Sequence, residues 1–240
     1  MRQISNYQEL LSYHCEKCND KGGQSVPHPL DPSCTAWREC ECMQLKRTAY
    51  RIKKSGLEPI IDTKTFETFA VDEPWQAAIR EAAQKYAESV KGGSKNWFMI
   101  SGQVGAGKSH LATAVVRELM YSGFDCEYKK WREMALELMR NQFREEEYYE
   151  SLNKFTNVPV LYIDDFLKGS VSDGFKNAAY DIIDSRYRKG KATIITSEKT
   201  TDDLRDIDEA IGSRIYEMTK GNYHQIRKDA NKNIRLKTAL

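Results

Sequence analysis

One run of eight residues constrains this chain more than any other: Gly102-Gln103-Val104-Gly105-Ala106-Gly107-Lys108-Ser109. It fits a phosphate-binding loop, follows an expected buried strand at residues 96–101 and opens an expected helix running to about residue 122, which is the context such a loop requires. The glycines let backbone N–H groups curl around phosphates, and the helix N-terminus adds positive potential. Lys108 reaches the outer phosphates and the Ser109 hydroxyl can hold Mg²⁺. Gly102, Gly105, Ala106, Gly107, Lys108, Ser109 and His110 are therefore the candidate nucleotide contacts.

The rest of the chain supplies the scaffold. Before the loop, Trp75, Ile79, Ala82, Ala83, Tyr86 and Val90 recur at helical spacing and stop at Gly92-Gly93. After it, strands are expected near residues 124–129, 158–163, 192–196 and 223–227, with helices at 131–149, 174–188 and 208–218 between them. Five strands alternating with helices predict an α/β fold, a parallel sheet covered on both faces.

Open α/β sheets bind ligands at the C-terminal ends of their strands. Val160-Leu161-Tyr162-Ile163 ends there in Asp164-Asp165, where Asp164 holds the Mg²⁺ shell and Asp165 orients or deprotonates the attacking water. Thr193-Ile194-Ile195-Thr196-Ser197-Glu198 ends in polar residues placed to sense a terminal phosphate. Gly212-Ser213-Arg214-Ile215 lies in a late helix, and Arg214 is either a solvated side chain or a finger inserted into a neighbour's nucleotide.

Together these motifs resemble the AAA+ helicase loaders of the DnaC and DnaI type, phage relatives included, with the transposition helper ATPase IstB close by. The resemblance covers about residues 60–235. It rests on Thr65-Phe66-Glu67-Thr68-Phe69, Gly107-Lys108-Ser109-His110-Leu111-Ala112, Ile163-Asp164-Asp165-Phe166, Ile194-Ile195-Thr196-Ser197 and Gly212-Ser213-Arg214-Ile215. It implies an AAA+ P-loop ATPase in which Lys108 and Ser109 are Walker A residues, Asp164 and Asp165 Walker B, residues 196–198 sensor 1 and Arg214 the arginine finger. The family commonly has Asn after Thr-Ser, where Glu198 stands here. Thr196, Ser197 and Glu198 thus stay open as phosphate sensors, with Ser197 taken as the catalytic candidate, and Arg227 and Arg235 both stand for the second sensor.

The first 42 residues differ from the rest. Five of the six cysteines fall between residues 15 and 42, in a segment with three prolines and Gly22-Gly23 that leaves little room for helix or strand. Without a secretory signal a disulfide framework is not expected, and Cys15-x2-Cys18 with Cys40-x-Cys42 offers four thiolates for Zn²⁺. Cys34 or His28 can replace one of them, and metal binding would supply the folding energy that so little apolar content cannot. By resemblance this is the zinc-binding module through which such loaders contact the replicative helicase. Residues 43–59 follow as a basic linker helix carrying Lys46, Arg47, Arg51, Lys53 and Lys54 and stopping at Ser55-Gly56, and residues 60–240 form the ATPase domain.

A net charge of only +2 argues against bulk coating of nucleic acid, so any DNA contact is local. The basic linker is one candidate; Lys220, Arg227, Lys228, Lys232, Arg235 and Lys237 are another. Phe143, Tyr148 and Tyr149 lie among acids and suit packing or a protein partner better. Apolar stretches such as residues 97–100 are far short of the ~20 residues that span a membrane. The expectation is a cytoplasmic, homo-oligomeric ATPase of a bacterial host cell that binds ATP or ADP with Mg²⁺ and also Zn²⁺. It would load a DnaB-type helicase onto single-stranded DNA. The alternatives are an IstB-like transposition ATPase, a P-loop small-molecule kinase, and an adaptor whose nucleotide site is structural.

Overall fold

The computed structural model describes residues 6–229 and 232–234. The chain opens with a short helix α1 (Tyr7–Leu11), an antiparallel hairpin β1 (Gly23–His28) and β2 (Asp31–Glu39), and helix α2 (Cys42–Ser55). Helix α3 (Pro74–Lys91) leads into β3 (Phe98–Gly102), α4 (Lys108–Tyr121), β4 (Cys126–Lys130), α5 (Trp131–Asn141), α6 (Glu145–Asn157) and β5 (Val160–Asp164). Then come α7 (Asp173–Lys189), β6 (Ala192–Ser197), α8 (Thr201–Ile207), α9 (Glu209–Met218) and β7 (Tyr223–Ile226).

Among the described residues β3 to β7 form one five-stranded sheet in the order β4-β5-β6-β3-β7, and every neighbouring pair is parallel. Strand residues alternate between two cores, as a sheet buried on both faces requires. Phe98, Ile100, Val160, Tyr162 and Ile194 face α3 and α4, which contribute Ile79, Tyr86, Leu111 and Val115. Met99, Leu161, Ile163 and Ile195 face the opposite layer of α5, α7 and α9, with Trp131, Leu138, Ile182 and Ile215. The five-stranded parallel sheet expected from the motifs is therefore present.

Four details depart from the expectations. The first 42 residues do hold regular structure, because β1 and β2 satisfy one another's backbone groups from Gly23 opposite Glu39 to Pro27 opposite Thr35. Tyr7 and Leu10 of α1 are buried in the core of the α/β domain, and the Tyr7 N–H donates to the Asp62 carboxylate, so this helix packs away from the cysteines. The single helix at 131–149 is instead the pair α5 and α6, bent at residues 142–144 so that Leu138 and Phe155 both reach the same core. Helix α8 is an addition; Thr200 caps it, accepting from the Asp203 N–H while the Asp203 carboxylate accepts from Thr200. Gly212 sits where α9 crosses α8, and a Cβ there would collide with the Arg205 backbone.

The α2 helix is more than a linker. Ile52 and, just past its end, Leu57 are fully buried in the domain core, and Arg51 Nε lies 2.6 Å from Asp125 Oδ1. At its other end Lys46 donates to the Asp20 carbonyl and Arg47 pairs with Glu39, which ties the same helix to the cysteine module. Three of its five cations are thus engaged within the protein.

Arg186 of α7 is a fully buried arginine with no carboxylate partner among the described residues. Its guanidinium donates to the carbonyls of Phe155, Val158 and Ala192 and to the Thr193 hydroxyl, joining α6, α7 and β6. Burial pushes it down to about 9, and the bonds to four oxygens are what hold it in place. Arg186→Met would strand those carbonyls, and leaving buried acceptors unpaired costs about 1–3 kcal/mol apiece. We expect a loss of about 3 kcal/mol or more, read as a lower urea midpoint; an unchanged midpoint would contradict this role.

Candidate functional site

The loop between β3 and α4 closes over the C-terminal ends of the sheet. Gly107 adopts a φ of 83°, a left-handed conformation open chiefly to glycine, and a Cβ there would lie 2.6 Å from the Phe69 ring. Ala106 is buried beneath the loop. The Lys108 ammonium donates to the carbonyls of Gly102 and Gln103 at 2.8 and 2.7 Å. Burial pushes it below its usual range, while Glu198 and Asp165 draw it up and Lys168 draws it down.

Asp164, the last residue of β5, is the meeting point of three elements. Its Oδ1 accepts from Ser109 Oγ of α4 at 2.7 Å, from Tyr162 OH at 3.0 Å and from Thr196 Oγ1 of β6. Thr196 also accepts from the Asp165 N–H at 3.1 Å. Ser109 and Asp164 open onto one cavity of about 880 Å³, lined also by Gly105, Gly107, Lys108, His110, Asp165 and Glu198. Its far wall is Gly56, Pro59, Ile60, Lys64, Thr68, Phe69 and Ala70. His110 packs edge-on against Phe69 and places Nε2 2.9 Å from the Thr65 carbonyl, an acceptor only, so Nε2 carries the proton. Burial pushes this imidazole down, keeping it neutral.

The expected residues do not all converge. Lys108, Ser109, His110, Asp164 and Asp165 share the cavity; Gly102 lines an adjoining one of about 700 Å³. Ser197 is fully buried and outside both linings, its hydroxyl donating to the Phe166 carbonyl and accepting from the Lys199 N–H. Thr196 and Glu198, on either side of it, are the members of this trio that touch the site's residues. Arg214 lies across α7, with NH2 2.9 Å from Asp184 Oδ1, NH1 on the Ala210 carbonyl and its guanidinium between the rings of Tyr180 and Tyr187. It lines neither cavity. Arg227 lines the adjoining cavity, whereas Arg235 and Lys237 fall outside the described residues. Sequence reading missed Lys168, Tyr128, Lys130 and Glu133, which also line the cavity with Val104 and Ile234; for Lys168 the spacing Asp165-x2-Lys168 was the available signal.

The second cluster is built from thiols. Cys15, Cys18, Cys40 and Cys42 are buried, with all four sulfurs within 4.8 Å of one another. Cys15–Cys40 and Cys18–Cys42 are each 3.6 Å apart, against roughly 3.8 Å for the edge of a tetrahedron with ~2.3 Å Zn–S bonds. The tight Cys40-x-Cys42 spacing fits because Cys40 follows β2 and Cys42 begins α2, one residue bridging strand and helix. Among the described residues neither Cys34, exposed on β2, nor His28 joins the cluster. The donor set therefore suits a closed structural zinc site.

A P-loop α/β domain in which the first turn of α4 is hydrogen-bonded to the end of β5 through Ser109 and Asp164 defines the class: a domain of the AAA+ type. Residues 61–219 match the bacterial DnaA ATPase domain, and the chain belongs to that family. It is 30% identical over 217 residues to the phage-like element PBSX protein XkdC of Bacillus subtilis (strain 168), covering 86% of this chain and 79% of that one. It is 28% identical over 188 residues to the replicative helicase loader DnaC of Escherichia coli (strain K12), covering 77% and 74%. A solved structure of the replication initiator DnaA bound to AMPPCP and single-stranded DNA superposes with a TM-score of 0.59 at 25% identity, over 71% of this chain and 51% of that one. The resemblance to DnaC-type loaders read from the motifs is borne out. No helix among the described residues is long and apolar enough to cross a membrane.

The cysteine geometry sets a direct test. Purified, reduced protein is expected to carry one zinc per chain by elemental analysis, and Cys18→Ser to lose most of it and melt earlier. A stoichiometry near zero in the wild type would remove the metal from this cluster.

Proposed function

We propose that the chain is an ATP-dependent loader that helps place a replicative DnaB-type helicase on single-stranded DNA. The observation that carries this is the Ser109–Asp164–Thr196 cluster at the mouth of the 880 Å³ cavity, in a chain similar to DnaC. Lys108 and the loop amides would hold the phosphates of ATP, Ser109 and Asp164 the Mg²⁺, and Asp165 the attacking water. Magnesium would neutralise phosphate charge there; the protein's own contribution is to fix both ligands through Thr196 and Tyr162.

Arg214, a quarter exposed at the protein surface, would act on a neighbouring subunit's nucleotide rather than its own. Reaching across would require exchanging Asp184 for phosphate oxygens, which the guanidinium fork can also bind in a bidentate way. Hydrolysis would then need a homo-oligomer formed through the ATP sites. The zinc-bearing module would contact the helicase. Helicase binding and ATP turnover would be linked by the different affinities of the ATP and ADP states.

The test is ATPase rate against protein concentration, with and without a replicative helicase and single-stranded DNA. A rate per molecule that rises with concentration or partner supports the loader; a constant rate indifferent to both would sink it. Arg214→Ala is expected to keep nucleotide affinity and lose turnover by ten-fold or more, whereas equal rates would refute the finger.

A further inference from the structure

Glu198 raises an electrostatic problem that the site must solve. It follows the last residue of β6 and lines the same cavity as Lys108 and Asp164, so its carboxylate faces the space where phosphates would sit. Left alone, that charge would repel a triphosphate. Lys168 answers it: its Nζ lies 2.7 Å from Glu198 Oε1 and 3.2 Å from Asp165 Oδ2.

The turn that delivers Lys168 is strained and anchored. Asp165 and Leu167 have φ of 55° and 50°, left-handed values that non-glycine residues seldom adopt. The turn holds because Phe166 and Leu167 are fully buried, the Phe166 N–H donates to the Thr196 carbonyl at 2.8 Å and Ser197 Oγ donates to the Phe166 carbonyl at 2.8 Å. A lysine ammonium has three donors, and two are engaged by carboxylates here. The side chain is half exposed and lines both the nucleotide cavity and the adjoining one. Its charge also reaches Lys108, so the two ammoniums address a common space.

We propose that Lys168 is the group in this chain that contacts the terminal phosphate of a bound nucleoside triphosphate, held ready by Glu198 and Asp165. This rests on the nucleotide-site reading and deepens it. The phosphate-sensing role falls to a cation on the β5 loop, because an acid stands at the end of β6. When Lys168 turns to a phosphate oxygen it loosens its hold on Asp165, which frees that carboxylate to orient water only if a triphosphate is present.

The test measures affinity for AMPPCP and for ADP by calorimetry, and ATP turnover, in the full chain. Lys168→Ala is expected to lose AMPPCP affinity ten-fold or more with ADP affinity within two-fold, and Lys168→Arg to keep most of the preference. Glu198→Gln, a change of charge without loss of size, is expected to raise AMPPCP affinity by freeing Lys168. An AMPPCP-to-ADP ratio in Lys168→Ala equal to that of wild type, or a fall in AMPPCP affinity in Glu198→Gln, would overturn the assignment. The underlying reading fails by a different signature: wild type binding neither nucleotide, or Lys108→Ala binding both as tightly as wild type.

Discussion

The buried carboxylate of Asp164 is the constraint around which the rest is arranged. A charge taken from water is costly unless hydrogen bonds replace the lost hydration. Here three hydroxyls, from Ser109, Tyr162 and Thr196, converge on one of its oxygens. That convergence is possible only because β6 lies between β3 and β5, which puts Thr196 beside Asp164 while α4, rising from the end of β3, brings Ser109. Strand order, the turn into α4 and the three hydroxyls carried by α4, β5 and β6 are one linked requirement.

What was legible in the sequence was local. The glycine loop, the apolar runs of β3, β5 and β6 and the stop of α2 before Gly56 are each set by a few consecutive residues, and they stand where they were read. The break between α5 and α6 was not legible, since no glycine or proline falls in residues 131–157. It comes from tertiary packing, which draws Leu138 and Phe155 into one core and leaves Phe143 exposed at the bend. Helix α8 did carry a signal, Thr200 three residues before Asp203, but its short length hid it between stronger patterns.

Within the site, residue types were legible and their directions were not. Thr196, Ser197 and Glu198 are consecutive, and a strand sends neighbours to opposite faces. Here Ser197 braces the Phe166 carbonyl while Thr196 and Glu198 address the site, a division set by the fold around the strand end. The basic run in α2 read as one candidate for DNA contact or as a solvated face, and Lys46, Arg47 and Arg51 are turned to Asp20, Glu39 and Asp125. The four cysteines were identifiable because sulfur ligands are few and their spacing is a covalent fact, whereas setting aside Cys34 and His28 needed the hairpin.

Helix α2 joins two things usually kept apart. Its first residue, Cys42, belongs to the thiol cluster, and the residue after its last, Gly56, lines the cavity of the P-loop. Fourteen residues at ~1.5 Å each make a rod of about 21 Å, pinned along its length by Ile52 and Arg51. A rod has no slack. The thiol cluster that brackets the hairpin and the turn that borders the P-loop cavity are therefore two ends of one rigid element, held at a fixed separation and orientation.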